Sequence, residues 1–563
     1  MMDNYRAFLA IIISFVILVG YQYLFVGFNK TETVEQPTQQ QPADTAKPVA
    51  VQQVANSQVM SSPPVEVTAL PAVVYDRKPK DITIDTELYT AIMSEDGGAI
   101  TSFILKKHKE THAKDSPGMQ LVKTDASQGA SLQFSWGSVI GTQVLFNSDK
   151  ENIKLSGDVS QGELRMNAQA ANGLTVERVY SFSNNSYLIG LSIRVKNSSS
   201  TLVQGLPQLH LVNKHFLGAD SPAQNFMFAG PASFMNGELH EVPAKDFKDG
   251  PKTLQGNIDW VGYESNYFLC GLIPLEGSGV SFAMQGNDDL TKMQLSGSQD
   301  TLQPGAEKVY KYDIFYGPKK LTMLKELGHN LDKSINFGWF DVIAKPTLWL
   351  LNWFFTYLHN YGLAIILVTV LFKAAFWPIS QKGMKSMKNM QKLQPKMVKI
   401  KEKYKDNPTK MNQEVMSLYK TYKVNPLGGC LPMVLQIPVF FALYKVLLMG
   451  IELRHAPFML WISDLSAPDR LWIGFDIPYV GGLPILTLLM GASMFFQQKL
   501  SPSTADPTQA KIMMFLPVIF TFMFLNFASG LVLYWFVNNL LSILQQVLIN
   551  RDTKKAAAAA AAP

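Results

Sequence analysis

No aspartate or glutamate occurs in the apolar stretches 358–377, 426–449, 479–497, 512–527 and 531–549 of this 563-residue chain. Ion-coupled pumps and symporters place carboxylates at mid-membrane to bind the coupling ion, so the absence argues against that class. It argues equally against paired-carboxylate acid–base chemistry at membrane depth, and no enzyme activity is expected there. Cysteine is almost missing: Cys270 lies in a polar region and Cys430 opens an apolar run, which excludes a disulfide framework. Neither has the His or Cys neighbours that a metal site requires, and no cofactor is expected. Arginine is absent from 381–424, which holds twelve lysines against Glu402, Asp406 and Glu414. That composition argues against bidentate phosphate reading, and nothing in it points to sequence-specific nucleic-acid recognition.

The apolar content that is present is unevenly spread. Segment 1–28 carries a run of about 20 apolar residues, enough to cross a hydrocarbon core. It lacks a small-x-small cleavage site after it, so it reads as an uncleaved transmembrane anchor. Segment 29–80 is rich in Pro, Gln, Thr and Ala without a period and reads as a flexible tether. Over 81–335 short alternating stretches such as "LTVERVYSFS" and "YLIGLSIRVKN" recur between turn signals, the pattern of an all-β antiparallel sandwich. Segment 336–357 is Trp- and Phe-rich and suits an amphipathic helix lying in the interface. A second span follows at 358–378, a Lys- and Met-rich helical hairpin at 379–425, and spans three to six within 426–549. The tail 550–563 ends in "KKAAAAAAAP", which reads as an artificial appendage. The fold class is thus a six-span α-helical membrane protein carrying a β-sandwich.

Lysine placement orients these spans. The segment 381–424 nets +9 and belongs in the cytoplasm, whereas the loop 451–476, with two arginines and four acids, belongs outside. Counting back puts both termini in the cytoplasm and 29–335 outside, which in a bacterium is the periplasm.

The spans hold a sparse polar set: Thr369, Lys373, Gln436, Asn526, Tyr534, Asn538 and Asn539. Thr369 and Lys373 are one turn apart on a helix face. Two readings stand for this set. Uncharged groups serve as interhelical glue and Lys373 snorkels to the headgroups, or the set lines a water-filled recess inside the bilayer. In the hairpin, Met384, Met387, Met390, Leu393, Met397, Ile400 and Tyr404 form a stripe at helical spacing, with Pro395 expected to kink it. Lys385, Lys388, Lys392 and Lys396 lie between them. This surface reads either as the positive-inside signal alone or as a docking face for anionic lipid, ribosomal RNA or a nascent chain. A channel or transporter is one competing reading. An envelope enzyme is another, acting through the sandwich with His210, His215, His240, Asp220 and Glu238 as its only candidates.

The stretches "VNPLGGCLPMVLQIPVFFALYKVL", "ELRHAPFMLWISDLS", "FFQQKLSPSTADPTQAKIMMFLPVIFT" and "SGLVLYWFVNNLLSILQQ" closely resemble the YidC/Oxa/Alb family of membrane protein insertases. The resemblance implies a five-helix core around a hydrophilic groove that is open to the cytoplasm and the lipid. It implies location in the bacterial inner membrane and nascent membrane proteins as partners. The ribosome or signal recognition machinery would meet the hairpin, with the Sec translocon and anionic lipids alongside. Matching the family's motifs puts its functional positive charge at Lys373, with Thr369 one turn before, a groove position at Gln436 and an aromatic pair at Tyr534 and Trp535. The chain departs from the pattern in four places: Lys373 replaces the usual arginine, Trp535 a tyrosine, Asn526 a bulky aromatic and Ala528 a proline.

Overall fold

The computed structural model describes residues 77–561 except 114, 125–127, 171–172, 215, 217–227, 276–278, 288, 423, 425–430, 479 and 501–506. The expected N-terminal anchor and all but the end of the tether lie outside the described residues.

Strands fill the first part because its sequence alternates. In Leu174–Ser183 and Leu188–Asn197 every second side chain is buried, as expected of a sheet with one covered face. The largest sheet has nine strands, and its middle runs Ile258–Glu264, Phe268–Pro274, Glu307–Pro318, Leu188–Asn197, Leu174–Ser183. Two five-stranded sheets cover its inner face. Phe103 of one meets Tyr316 edge to face at 5.3 Å, and Trp136 of the other donates its indole N–H to the Tyr310 hydroxyl at 2.9 Å. The expected sandwich is therefore present, with one correction. Asp81–Asp85 pairs in parallel with Asn152–Lys154, so the sheets are not wholly antiparallel.

After the short α1 (Leu321–Leu327), the helical part comprises α2 (Asp341–Leu358), α3 (Tyr361–Lys403), α4 (Pro408–Thr421), α5 (Leu431–Met449), α6 (Ile485–Leu500), α7 (Pro507–Phe524) and α8 (Ser529–Ala561). Asn360 separates α2 from α3 and caps α3, its side chain accepting from the Leu363 amide. Asn407 does the same for α4, with Pro408 at the first helical position. Pro378 and Pro395 do not end α3, which runs unbroken for 43 residues and carries both the expected second span and the first hairpin arm. At 1.5 Å per residue it is ~65 Å long, about twice a hydrocarbon core. Its lysine-rich half must therefore stand outside any membrane that its first half crosses.

Among the described residues, Tyr361–Lys403 and Ser529–Arg551 are long and apolar enough to cross a membrane, and Gln436–Met449 and Met513–Phe524 are shorter apolar helices. One face of α2 exposes Trp349, Trp353 and Tyr357.

The connection from α5 to α6 knots the helix ends together. The Asn360 amide donates to the Phe458 carbonyl at 2.8 Å, and the Ser529 hydroxyl to the Asp464 carbonyl at 2.8 Å. The Thr487 amide donates to Asp469 at 3.1 Å. The same connection reaches the sandwich through Arg454, which donates to the carbonyls of Lys109 and Glu110 at 2.7 and 2.8 Å. Its guanidinium lies 5.5 Å from the Phe268 ring and 5.8 Å from that of Tyr267.

Candidate functional site

Three helices bring polar side chains to one point between apolar walls. From α3, the Lys373 ammonium donates to the Ser542 hydroxyl at 2.6 Å and lies 3.5 Å from the Asn538 side-chain oxygen, both on α8. From α5, the Gln436 amide donates to the same Asn538 oxygen at 2.7 Å and lies 3.4 Å from the Tyr534 hydroxyl. Tyr534, Asn538 and Ser542 recur every fourth residue, so α8 presents them as one stripe. Gln545 extends the stripe toward the lysine-rich end, accepting from Ser380 at 3.1 Å. Among the described residues no carboxylate lies within ion-pair distance of Lys373. The charge is met by neutral oxygens only.

The structure separates the sequence candidates. Lys373, Gln436 and Tyr534 converge. Thr369 does not join them: its hydroxyl donates to the Ile365 carbonyl of its own helix at 2.6 Å and it is buried. Trp535 points into an aromatic cluster, with ring centroids 4.8 Å from Phe440 and 5.4 Å from Phe524. Asn526 is exposed near the start of α8 and accepts from Arg470 at 3.0 Å, well apart from Lys373. Ser542, Ser380 and Gln545 escaped the sequence reading. The four-residue spacing after Tyr534 marks Ser542 alone; Gln545 falls one residue off it and Ser380 lies on α3, where it meets α8 only through packing.

In the hairpin, Lys385, Lys392 and Lys396 are exposed, and Lys396 hydrogen-bonds the Tyr422 hydroxyl. Lys388 reaches instead to Asn550 of α8 at 3.0 Å. Met387 is half-buried and Met397 buried, with the Tyr419 hydroxyl against its sulfur at 3.3 Å. Met397 therefore helps to join the two arms, and Val398, Met416 and Tyr422 are among the apolar groups left exposed on the hairpin.

Among the described residues, His210 stands on a different strand from Glu238 and His240. His210 sits 2.9 Å from the Ser135 hydroxyl, and burial pushes its pKa down to about 4. His240 lies on the separate strand Glu238–Glu241, and His215 and Asp220 fall outside the described residues. Among the described residues no three metal-ligating side chains cluster.

Comparison with known proteins accounts for nearly the whole chain. Residues 81–350 match the family described as the YidC periplasmic domain, and residues 353–556 match the 60Kd inner membrane protein family. A membrane protein insertase YidC from Geotalea uraniireducens is 41% identical, covering 97% of this chain and 99% of that protein. One of the same name from Syntrophobacter fumaroxidans is 40% identical over the same shares. A crystal structure of an active YidC insertase with its first transmembrane domain resolved aligns at 20% identity and a TM-score of 0.35, over 83% of this chain and 92% of that one. Galactose mutarotase-like proteins align with about two-fifths of the chain, for instance one from Lactobacillus casei at 13% identity and a TM-score of 0.29, covering 42% of this chain and 99% of that one. Identity of this order across two matched domains decides membership, and the chain belongs to the YidC family of membrane protein insertases.

Proposed function

We propose that this protein inserts nascent membrane proteins into the bacterial inner membrane through a polar groove, and that Lys373 receives the acidic tail a substrate sends across. The observation that carries this reading is a lysine held deep between helices by neutral acceptors alone. Twelve residues into α3, at 1.5 Å per residue, it lies ~18 Å from that helix's start, more than half of a ~30 Å hydrocarbon core. A snorkelling lysine would end among the headgroups, whereas this ammonium ends on the Ser542 hydroxyl of α8, beside Asn538.

Each charged residue carried to the membrane centre costs roughly 2.5 to 3.5 kcal/mol on insertion scales, and a polar recess shortens the apolar distance. A potential of about 100 mV, positive outside, adds roughly 2.3 kcal/mol for each carboxylate moved outward. Attraction must remain weak enough for release, which suits a charge with no fixed counter-ion.

In this reading the six spans include the N-terminal anchor, both termini are cytoplasmic and the sandwich is periplasmic. The exposed lysines 385, 392 and 396 receive the ribosome, signal recognition machinery or anionic lipid, and the Sec translocon is a partner on the membrane side. Lys373→Arg keeps insertion in an insertase-depleted strain, and Lys373→Ala impairs it for substrates with acidic translocated tails. Full activity of Lys373→Ala on those substrates overturns the groove reading.

A further inference from the structure

Resting on that reading, we infer that Ser542 is a positioning residue that sets the charge selectivity of the groove: it holds the Lys373 ammonium as a neutral counter-ligand and leaves its remaining N–H donors to a substrate carboxylate.

The inference starts from how Ser542 spends its atoms. Its hydroxyl donates its single proton to the Asn538 carbonyl one turn back at 2.8 Å, so it meets Lys373 as an acceptor only. The ammonium stands 2.6 Å from that oxygen. The other nearby oxygen, on the Asn538 side chain, is 3.5 Å from the ammonium and already accepts from Gln436 at 2.7 Å. Lys373 has three N–H donors, and within this node one is fully engaged. The remaining directions suit the two oxygens of a carboxylate.

The position of Ser542 is firm. It is 3% exposed on α8, and the next polar contact toward the cytoplasmic end, Ser380 to Gln545, fastens α3 to α8 below it. The ammonium is thus held at a fixed depth by a partner without charge. A carboxylate at position 542 would neutralise Lys373 permanently in a low-dielectric setting and remove the attraction an arriving acidic tail needs. An amide of the same size would leave the charge free. Selectivity for acidic tails then depends on a residue 169 positions away from Lys373 in the chain.

The test uses the full-length protein in proteoliposomes under an outside-positive potential, with two single-span substrates that differ only in the translocated tail, one with three aspartates and one with three asparagines. Ser542→Asp is expected to lower insertion of the acidic-tailed substrate at least tenfold and to leave the asparagine-tailed substrate within twofold. Ser542→Asn, matched in size and uncharged, is expected to insert both within threefold. Lys373→Ala combined with Ser542→Asp should be no worse on the acidic tail than Lys373→Ala alone. Equal loss on both substrates with Ser542→Asp, or equal loss in Ser542→Asn, assigns Ser542 to helix packing and overturns the inference. So does wild-type insertion of the acidic tail by Ser542→Asp while Lys373→Ala remains impaired. An acidic tail indifferent to Lys373→Ala overturns the groove reading itself, and this inference with it.

Discussion

Removing the Arg454 side chain should release the sandwich from the helical core without unfolding either. Arg454→Ala deletes two hydrogen bonds, to the carbonyls of Lys109 and Glu110, and the stacking of a guanidinium over Phe268 and Tyr267. Two charge-assisted bonds at a partly solvated joint contribute about 1 kcal/mol each, and the ring contacts add roughly 0.5 to 1 kcal/mol. The sum is roughly 2.5 to 3 kcal/mol, which weakens docking by about 70- to 150-fold. Spin labels at Val159 on the sandwich and Leu460 on the core connection, both exposed, report the separation by pulsed electron resonance in nanodiscs. The wild type should give one narrow distance distribution and Arg454→Ala a broad one, with circular dichroism unchanged. Arg454→Lys keeps the charge but not the two-pronged geometry and should fall between them. A narrow distribution in Arg454→Ala would refute the account of this joint.

Acid should loosen the same joint. Burial, with Arg454, His455, Lys320 and Lys107 nearby, pushes His108 down from its ordinary 6.5 to about 4, and burial beside Arg454 pushes His455 to about 4. A released sandwich would bind protons that the docked one refuses, so docking is complete above pH 6.5 and weakens as pH falls toward 4. His108 contributes the share of this shift that the core supplies through burial, Arg454 and His455; its packing on Phe268 at 5.7 Å stays with the sandwich. The label distances should broaden below pH 6, and His108→Phe should shift the broadening to lower pH. Within the core, a Cβ on Gly491 would press on the Thr521 side chain, where α6 and α7 pass closely. Gly491→Leu should lower the thermal midpoint in nanodiscs, by overpacking of roughly 1 to 3 kcal/mol or more, while Gly474→Ala, which meets no neighbour, serves as the control for a glycine under backbone strain alone.

The strands were legible because alternation is a local signal. The parallel pair was not, since Asn152–Lys154 is three residues long and its partner lies about seventy positions earlier. The second span was expected to close at Pro378 and Pro395 to kink the hairpin's first arm, yet α3 continues through both, because proline costs a helix one backbone bond and neighbouring helices hold the rest in register. Lys373 was conspicuous as a lone charge among apolar residues, but Ser542 is an ordinary residue in "NNLLSILQQ" whose spacing from Tyr534 and Asn538 acquires meaning only once α3 packs on α8. Asn526 lies in the turn between α7 and α8 rather than within a span, and polarity alone did not separate the two. Arg454 and its carbonyl partners are separated by 345 and 344 positions, beyond any local pattern.

The central claim is that the node around Lys373 is where a substrate's tail passes. A photo-crosslinking residue at Gln436, which shares the Asn538 oxygen with Lys373 and leaves the lysine intact, should capture a ribosome-stalled nascent membrane protein through the segment that crosses. The same residue at Phe522, 70% exposed on α7, serves as the comparison. The account predicts strong adducts from position 436 that map to the translocated tail and fall when its acidic residues are removed. Adducts from position 522 alone, or adducts from 436 indifferent to tail charge, would contradict it.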